Sequence, residues 1–329
     1  ITIYAPAIVL STLLGRNLTL TNIFIGILVI IYTVSGGSKA VAQTQKQQMG
    51  VMMLGLFVAA ALLMVGISNH MPLSDGLSMA GMTGKFNLID LKPDFSSRYN
   101  IWSGILGGFF LSLSYFGTDQ SQVGRYIGGK DIRQSRMGLL FNALFKIPMQ
   151  LLVLFVGVLV FVFFQFNPQP VHYNAPQLDL LRASDEARPP LLQSEADYRA
   201  VVAKKQQSQE AWEAGQLSDS DFGPAYRGQL QKEQSIRQEV RDLVESHIPE
   251  GDPNDSDYIF LSYIMGYLPV GLVGLLLAMI FSGAMSSTAG ELNALGSVTA
   301  VDFVQTFGLM PKSGKGQLRV SRLATAAWG

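Results

Sequence analysis

The sequence predicts an all-α protein built as a polytopic bundle of transmembrane helices. Three observations lead there. Apolar residues come in blocks long enough to cross about 30 Å of hydrocarbon. The blocks are apolar all round, as helices in lipid are. Charged residues, 15% of the chain, are swept into a few loops. The total of 48% apolar residues would suit an ordinary soluble protein, so the distribution decides and not the amount.

In chain order, Ile1–Leu14 reads as the end of one span. Leu20–Gly37, Gln47–Ile67, Ile101–Gly117 and Met137–Phe166 read as the next four, and Pro269–Val304 as a sixth that runs long. Gln317–Gly329 reads as the start of a seventh. Gly36-Gly37 should make a tight turn between the second and third spans. Orientation follows the bias of Lys and Arg in short loops. Lys39 and Lys46 lie in one loop, Arg125, Lys130, Arg133 and Arg136 in another, and Lys312, Lys315, Arg319 and Arg322 in a third. Alternation puts all three on one side, taken as cytoplasmic. The loops Ser68–Asn100 and Asn167–Asp257 then face outward.

The Asn167–Asp257 loop changes character along its length. It opens with NPQPVHYNAP, which should be extended. Ser194–Gln216 is polar and favours helix. Ser218–Ile248 places Ile236, Val240, Leu243 and Val244 at helical spacing. The expectation is a two-helix hairpin that caps the extracellular loops. Tyr258–Tyr267 reads as a short interfacial helix before Pro269. The chain therefore divides into 1–166, first part of the bundle; 167–257, an extracellular insertion; and 258–329, second part of the bundle. No initiator Met or signal pattern stands at Ile1, and both termini fall within apolar segments, as expected of the middle of a longer protein.

Several classes of function are excluded. With no cysteine there is no disulfide framework, thiolate metal site or Cys nucleophile. Zero net charge offers no bulk field for nucleic acid. His70, His172 and His247 lie far apart and show no ligand spacing, so no metal site of the zinc type is expected. There is no glycine-rich phosphate cradle. No Ser/His/Asp set can be assembled from intramembrane residues, and Asp302 and Glu291 suit capping or structural roles. The chain does not read as an enzyme.

Four features could carry function. In the sixth span the sequence turns to small residues and to three hydroxyls, Ser286, Ser287 and Thr288. Gly283, Ser286 and Ser287 share one helix face at i, i+3, i+4. Side chains lean towards the N-terminus while carbonyls point the other way, so the Gly283 carbonyl and the two hydroxyls can converge on one point. Three hard oxygens without a full charge suit a small monovalent cation. Second, the fourth span loses its apolar character at Ser112, with Tyr115 and Phe116 just beyond and Gly107, Gly108 and Gly117 flanking. Two readings fit: a helix broken at mid-membrane that lines a cavity, or a span that ends early in a cytoplasmic loop. Third, Lys146 lies inside a span, close to Pro148. It either faces a cavity or snorkels, being about ten residues, roughly 15 Å, past Arg136. Fourth, Val34–Gln48 reads as a polar loop, mostly solvated.

Taken in order, these pieces resemble the sodium:solute symporter family. The matches are Ser35–Val41 (SGGSKAV), Tyr115–Gln120 (YFGTDQ) with Arg125, and Phe281–Ser297 (FSGAMSSTAGELNALGS) with Val301–Phe303 (VDF). The resemblance covers almost the whole chain apart from Asn167–Asp257. It implies the leucine-transporter-type fold of two inverted five-helix repeats, with this chain running from the third core helix to the start of the ninth. It implies that Gly283, Ser286 and Ser287 form the eighth-helix half of a sodium site, Na+ being the only metal ion expected. The other half would be carbonyls on the first core helix, which this chain lacks. Tyr115 matches the aromatic that closes the substrate site from the cytoplasm, and Phe116 its neighbour. Ser112 stands where sugar-transporting members have Asn, Lys146 matches a lysine that contacts sugar in some members, and Gln120 and Arg125 match the tail of the motif.

Two departures matter. The loop motif that usually ends in Trp-Thr-Asp is here Gln43-Thr44-Gln45, and the hydroxyls that build an extra sodium site in some members are Ala289 and Gly290. One sodium per cycle is therefore expected. The function implied is sodium-coupled symport by alternating access, in a multi-pass protein of the plasma (inner) membrane. The solute would be a small sugar, carboxylate, amino acid or vitamin, and the partners only that solute and the lipid bilayer. An alternative is that the same bundle is the input module of a sensor, with kinase domains beyond Gly329.

Overall fold

The computed structural model describes residues 3–14, 17–87, 100–127, 131–167, 169–249 and 251–329. All regular structure among them is helical. The helices are α1 (Tyr4–Leu14), α2 (Leu18–Ser68), α3 (Leu73–Met82), α4 (Ile101–Gly117), α5 (Gln120–Ile127) and α6 (Ile132–Phe166). They continue as α7 (Ala175–Ala183), α8 (Arg188–Glu213), α9 (Asp219–His247), α10 (Asp257–Tyr267), α11 (Val270–Val298) and α12 (Gly314–Trp328). A π-helical turn, Thr299–Gln305, extends α11. The segments Leu18–Gly36, Gln45–Ser68, Ile132–Phe166 and Val270–Gln305 are long and apolar enough to cross a membrane; α4 is apolar but has 17 residues. Part of the first outward loop, residues 88–99, and Lys130 lie outside the described residues, as does the Arg125 side chain.

The turn expected at Gly36-Gly37 is absent: α2 is helical throughout. The segment that follows is rich in Ala, Gln and Lys, which favour helix, and two glycines cost only about 2 kcal/mol against alanine. Helix α4 matches the expected fourth span end for end, while α3, α5 and α7 lie in stretches read as loop. The Pro-rich run is non-helical only to Asn174. Pro176 then sits in the first turn of α7, where its missing N–H costs nothing.

The helices form two units. The first holds Ile1–Leu56, Ile89–Leu152 and Val270–Gly329. Its centre is α11, which packs against α1, α5 and α12. Ala7 of α1, Ile25 and Val29 of α2 and Leu292 of α11 make one buried cluster. Small residues allow close approach: a Cβ at Gly55 would come within 3.1 Å of Leu276 and Met279, and one at Gly296 within 3.1 Å of the Thr325 Cα. Trp328 donates its indole N–H to Thr299 Oγ1 at 2.8 Å and so ties α12 to the π turn.

The second unit holds Phe57–Leu88 and Val153–Pro269. It contains the expected hairpin, α8 against α9. Leu191 and Tyr198 of α8 and Ile236, Val240 and Val244 of α9 are buried with Leu178 and Leu181 of α7. Gly215, at φ +71°, takes the left-handed conformation the connection needs. Trp212 stacks on Phe222 at 4.7 Å and donates to Asp219 Oδ1. The hairpin docks on the end of α6, where the Tyr226 hydroxyl donates to Gln165 Oε1 at 3.0 Å.

A charged layer runs through the hairpin interior. Glu233 accepts from Lys205 Nζ at 2.6 Å and from Arg237 Nε at 3.2 Å, with all three side chains almost fully buried. Burial pushes the Glu233 carboxyl up, but the two cations outweigh this and hold it below the ordinary range. Burial pushes Lys205 down, with Glu233 opposing and Arg237 adding repulsion. Asp255 lies near by in the same unit. Burial pushes it up; the Tyr173 N–H at 2.8 Å, Arg241 at 2.7 Å and His172 at 3.4 Å prevail and hold it low.

Candidate functional site

The predicted residues fall into two groups, both in the first unit. The first group is on α11. The helix runs unbroken through Gly283, Ser286 and Ser287, which keeps them on one face. Gly283 and Ser286 are half-buried and Ser287 is exposed, while Thr288 and Ala289 are buried on the far side. What faces this segment is α2. The Gln45 side-chain N–H donates to the Ser286 carbonyl at 3.0 Å. A Cβ on Gly283 would come within 3.2 Å of Met52 Sδ. Gln48, on the same stripe as Gln45, Met52 and Gly55, therefore lies between those two contacts. Its Oε1 is buried and accepts no hydrogen bond. A buried acceptor in that condition calls for a partner.

The second group joins α4, α5 and α6. Lys146 Nζ lies 5.0 Å from the centre of the Tyr115 ring, a cation–π arrangement. The Tyr115 hydroxyl donates to Gln122 Oε1 at 3.0 Å. Phe116 packs edge-on against Tyr115 at 5.0 Å and lies over Tyr126 at 6.5 Å. The Tyr126 hydroxyl accepts from Asn142 Nδ2 at 3.2 Å, one helical turn before Lys146. The structure thus brings Tyr115, Phe116 and Lys146 together, with Ser112 one turn away on the same face of α4. Gln120 opens α5 and does not join the aromatic cluster.

The helix interruption is displaced from its expected place. Helix α4 continues through Ser112 to Gly117, and the break is at Thr118–Asp119. Asp119 accepts from the Ser121 N–H at 2.9 Å and hydroxyl at 2.7 Å, which starts α5. Serine is a tolerable helix residue, so loss of apolarity at Ser112 did not require loss of helix. Pro148 likewise sits inside a continuous α6.

Sequence reading took Gln45 only as a departure from the motif, and it missed Gln48, Gln122, Tyr126 and Asn142. The available signal was spacing: Gln122 and Tyr126, like Asn142 and Lys146, stand at i, i+4 and share a helix face. Helix α5 touches both α4 and α11, so one short element connects the aromatic group to the oxygen-bearing helix. Among the described residues no group of three or more acidic or histidine side chains could hold a metal ion.

Residues 1–193 match the model of the sodium:solute symporter family. The chain belongs to that family. Family members are transporters, not enzymes, and together with the long apolar helices this makes the chain part of a multi-pass integral membrane protein. It is 33% identical to the human sodium/iodide cotransporter over 166 residues, 50% of this chain and 25% of that protein. It is 30% identical to the rabbit (Oryctolagus cuniculus) sodium-dependent multivitamin transporter over 183 residues, 54% of this chain and 28% of that protein. It is 24% identical to mouse sodium-coupled monocarboxylate transporter 2 over 307 residues, 93% of this chain and 37% of that protein. The chain thus spans between about a quarter and two fifths of these relatives.

Proposed function

We propose that the whole protein is a sodium-coupled symporter that moves a small organic anion into the cell by alternating access. The observation that carries the reading is the pair of groups in one unit: a neutral-oxygen face on α11 and an aromatic–lysine cluster on α4–α6, joined through α5. Sodium, a cargo ion here, meets the Gly283 carbonyl, the Ser286 and Ser287 hydroxyls and the buried Gln48 Oε1. Amide, hydroxyl and carbonyl oxygens suit a monovalent ion, which needs no carboxylate. The solute lies beside Ser112, Tyr115 and Phe116 with its negative charge towards Lys146. Matched relatives are named for iodide and for monocarboxylates, which supports an anion over a sugar. Gln120 and Arg125 support the motif at the start of α5.

Coupling requires that sodium bind the outward-open state more tightly than the inward-open one. One sodium per cycle is the expected stoichiometry. Gln45 stands in place of the motif's acid and presents an N–H towards α11, which repels a second cation. With a monovalent anion such a cycle is electroneutral, so the sodium gradient alone drives it. A second sodium would add about 2.3 kcal/mol per 100 mV. The basic residues Arg133, Arg136, Lys312 and Lys315 face the cytoplasm across the plasma membrane, and 167–257 is an outer insertion between two parts of the bundle, 1–166 and 258–329. Nothing in the site favours a sensor module.

The test uses the full-length protein in proteoliposomes. Uptake of a panel of monocarboxylates, vitamins, amino acids and sugars is followed with and without a sodium gradient. Sodium-driven uptake of an anion, lost in Ser287→Ala and in Lys146→Met, is the expected result. Uptake of neutral solutes only, or none that needs sodium, would refute the reading.

A further inference from the structure

Beneath the α8–α9 hairpin, wholly inside the second unit, lies a cavity of about 510 Å³. That volume suits a small organic molecule. Its two walls differ. One is apolar and comes from α6 and α10: Val160, Phe161, Phe164 and Ile259. Gly157 opens this wall, because a Cβ there would meet nothing within 4 Å. The other wall is α9, which presents Glu233, Arg237 and Arg241, and Lys85 stands at the rim after α3. Three cations therefore line the cavity against one carboxylate.

The pairing within this wall leaves positive charge over. Glu233 is committed to Lys205 and Arg237. Arg237 is locked in place by Val171 O, Gln169 Oε1 and the Tyr198 hydroxyl, with Tyr173 and Tyr198 rings 5.0 Å away. Asp255 takes Nε and Nη2 of Arg241, at 3.1 and 2.7 Å, so Nη1 keeps its donors. Among the described residues Lys85 has no carboxylate partner. Its ammonium lies 4.5 Å over the Phe161 ring and so sits against the apolar wall. Fixed cations beside an apolar surface are complementary to an anion with an apolar body.

We propose that this cavity is a binding site for a small organic carboxylate. The carboxylate lies between Lys85 and the free edge of Arg241, and the body of the ligand lies on Phe161 and Phe164. The site is distinct from the one built on Lys146. It stands on its own residues, whatever the protein transports.

The experiment uses full-length protein in nanodiscs of zwitterionic lipid, in sodium-free buffer, with 4-fluorobenzoate followed by fluorine NMR. Saturable binding is expected, at least tenfold tighter than that of neutral 4-fluorobenzyl alcohol. Lys85→Gln removes an exposed charge and Gly157→Leu fills the open wall on a helix that tolerates leucine. Each should weaken binding tenfold or more. The proposal is overturned by absence of saturable binding, by equal binding of the alcohol, or by binding that follows Lys146→Met instead of Lys85→Gln. Benzoate binding that disappears when phosphatidylglycerol replaces the zwitterionic lipid would assign the cavity to a lipid headgroup and overturn it too. Sodium-dependent uptake is measured separately, so failure of the symport reading and failure of this one are told apart.

Discussion

Replacing Glu233 by Ala removes, among the described residues, the one carboxylate that contacts Lys205. The Lys205 side chain is 5% exposed and that of Glu233 8%, so water cannot take over the lost contact. Three bonds disappear: Lys205 at 2.6 Å, Arg237 at 3.2 Å and the Tyr198 hydroxyl at 3.5 Å. Breaking a buried pair from one side costs about 3–5 kcal/mol, because the remaining charge is stranded. Taking the middle of that range, the opening equilibrium of the hairpin shifts about a thousandfold. Hydrogen exchange on the full-length protein in nanodiscs reads this directly as a thousandfold loss of protection in α8 and α9. The paired replacement Lys205→Met with Glu233→Leu removes both charges at similar volume. Arg237 keeps Val171 O, Gln169 Oε1 and the Tyr198 hydroxyl but loses its carboxylate, so protection should recover in part, to about tenfold or more above that of Glu233→Ala. Protection in Glu233→Ala within threefold of wild type, or a paired variant as weak as the single one, would show that the ion pair does not hold the hairpin.

Three further outcomes are expected. Gln48→Met keeps the side-chain volume and removes the oxygen, so the sodium concentration for half-maximal uptake should rise about tenfold while solute affinity at saturating sodium stays put; an unchanged sodium response excludes Gln48 from the site. Tyr115→Phe loses the Gln122 hydrogen bond but keeps the ring under Lys146, so solute affinity should fall only a few-fold, against a much larger loss in Lys146→Met; equal losses would contradict the assignment of charge recognition to Lys146. Asp255 has a depressed folded pKa, so it contributes stability above the ordinary carboxylate pKa of 3.8, and that contribution is lost as pH falls through the folded value. Hairpin protection in Asp255→Asn should therefore lie below wild type at pH 7 and meet it only in strong acid; a gap that stays constant down to pH 3 would rule the mechanism out.

Much of the fold was legible because its signals are local. Helix α4 matched the expected span because apolar runs and helical capping are written within a few residues, as with the Asn100–Ser103 box at its start. The α8–α9 hairpin was legible from the spacing of Ile236, Val240 and Val244, all of which are buried. The turn at Gly36-Gly37 and the break at Ser112 were misplaced for one reason. Glycine and serine lower helix stability by only about 1 kcal/mol each, and neighbouring helix formers outvote them.

The sequence by itself determined that this is a helical membrane protein with a neutral-oxygen face at Gly283, Ser286 and Ser287, since each of those properties is set within one continuous stretch of chain. Tertiary structure decided the rest. Gln45 reaches Ser286 across 241 positions, and Arg237 reaches Gln169 across 68. A glutamine or an arginine looks the same in sequence whether it faces lipid, water or another helix. Only packing strands the Gln48 oxygen beside α11 and leaves Lys85 and Arg241 with donors to spare, because burial and pairing belong to the space between helices and have no local signature.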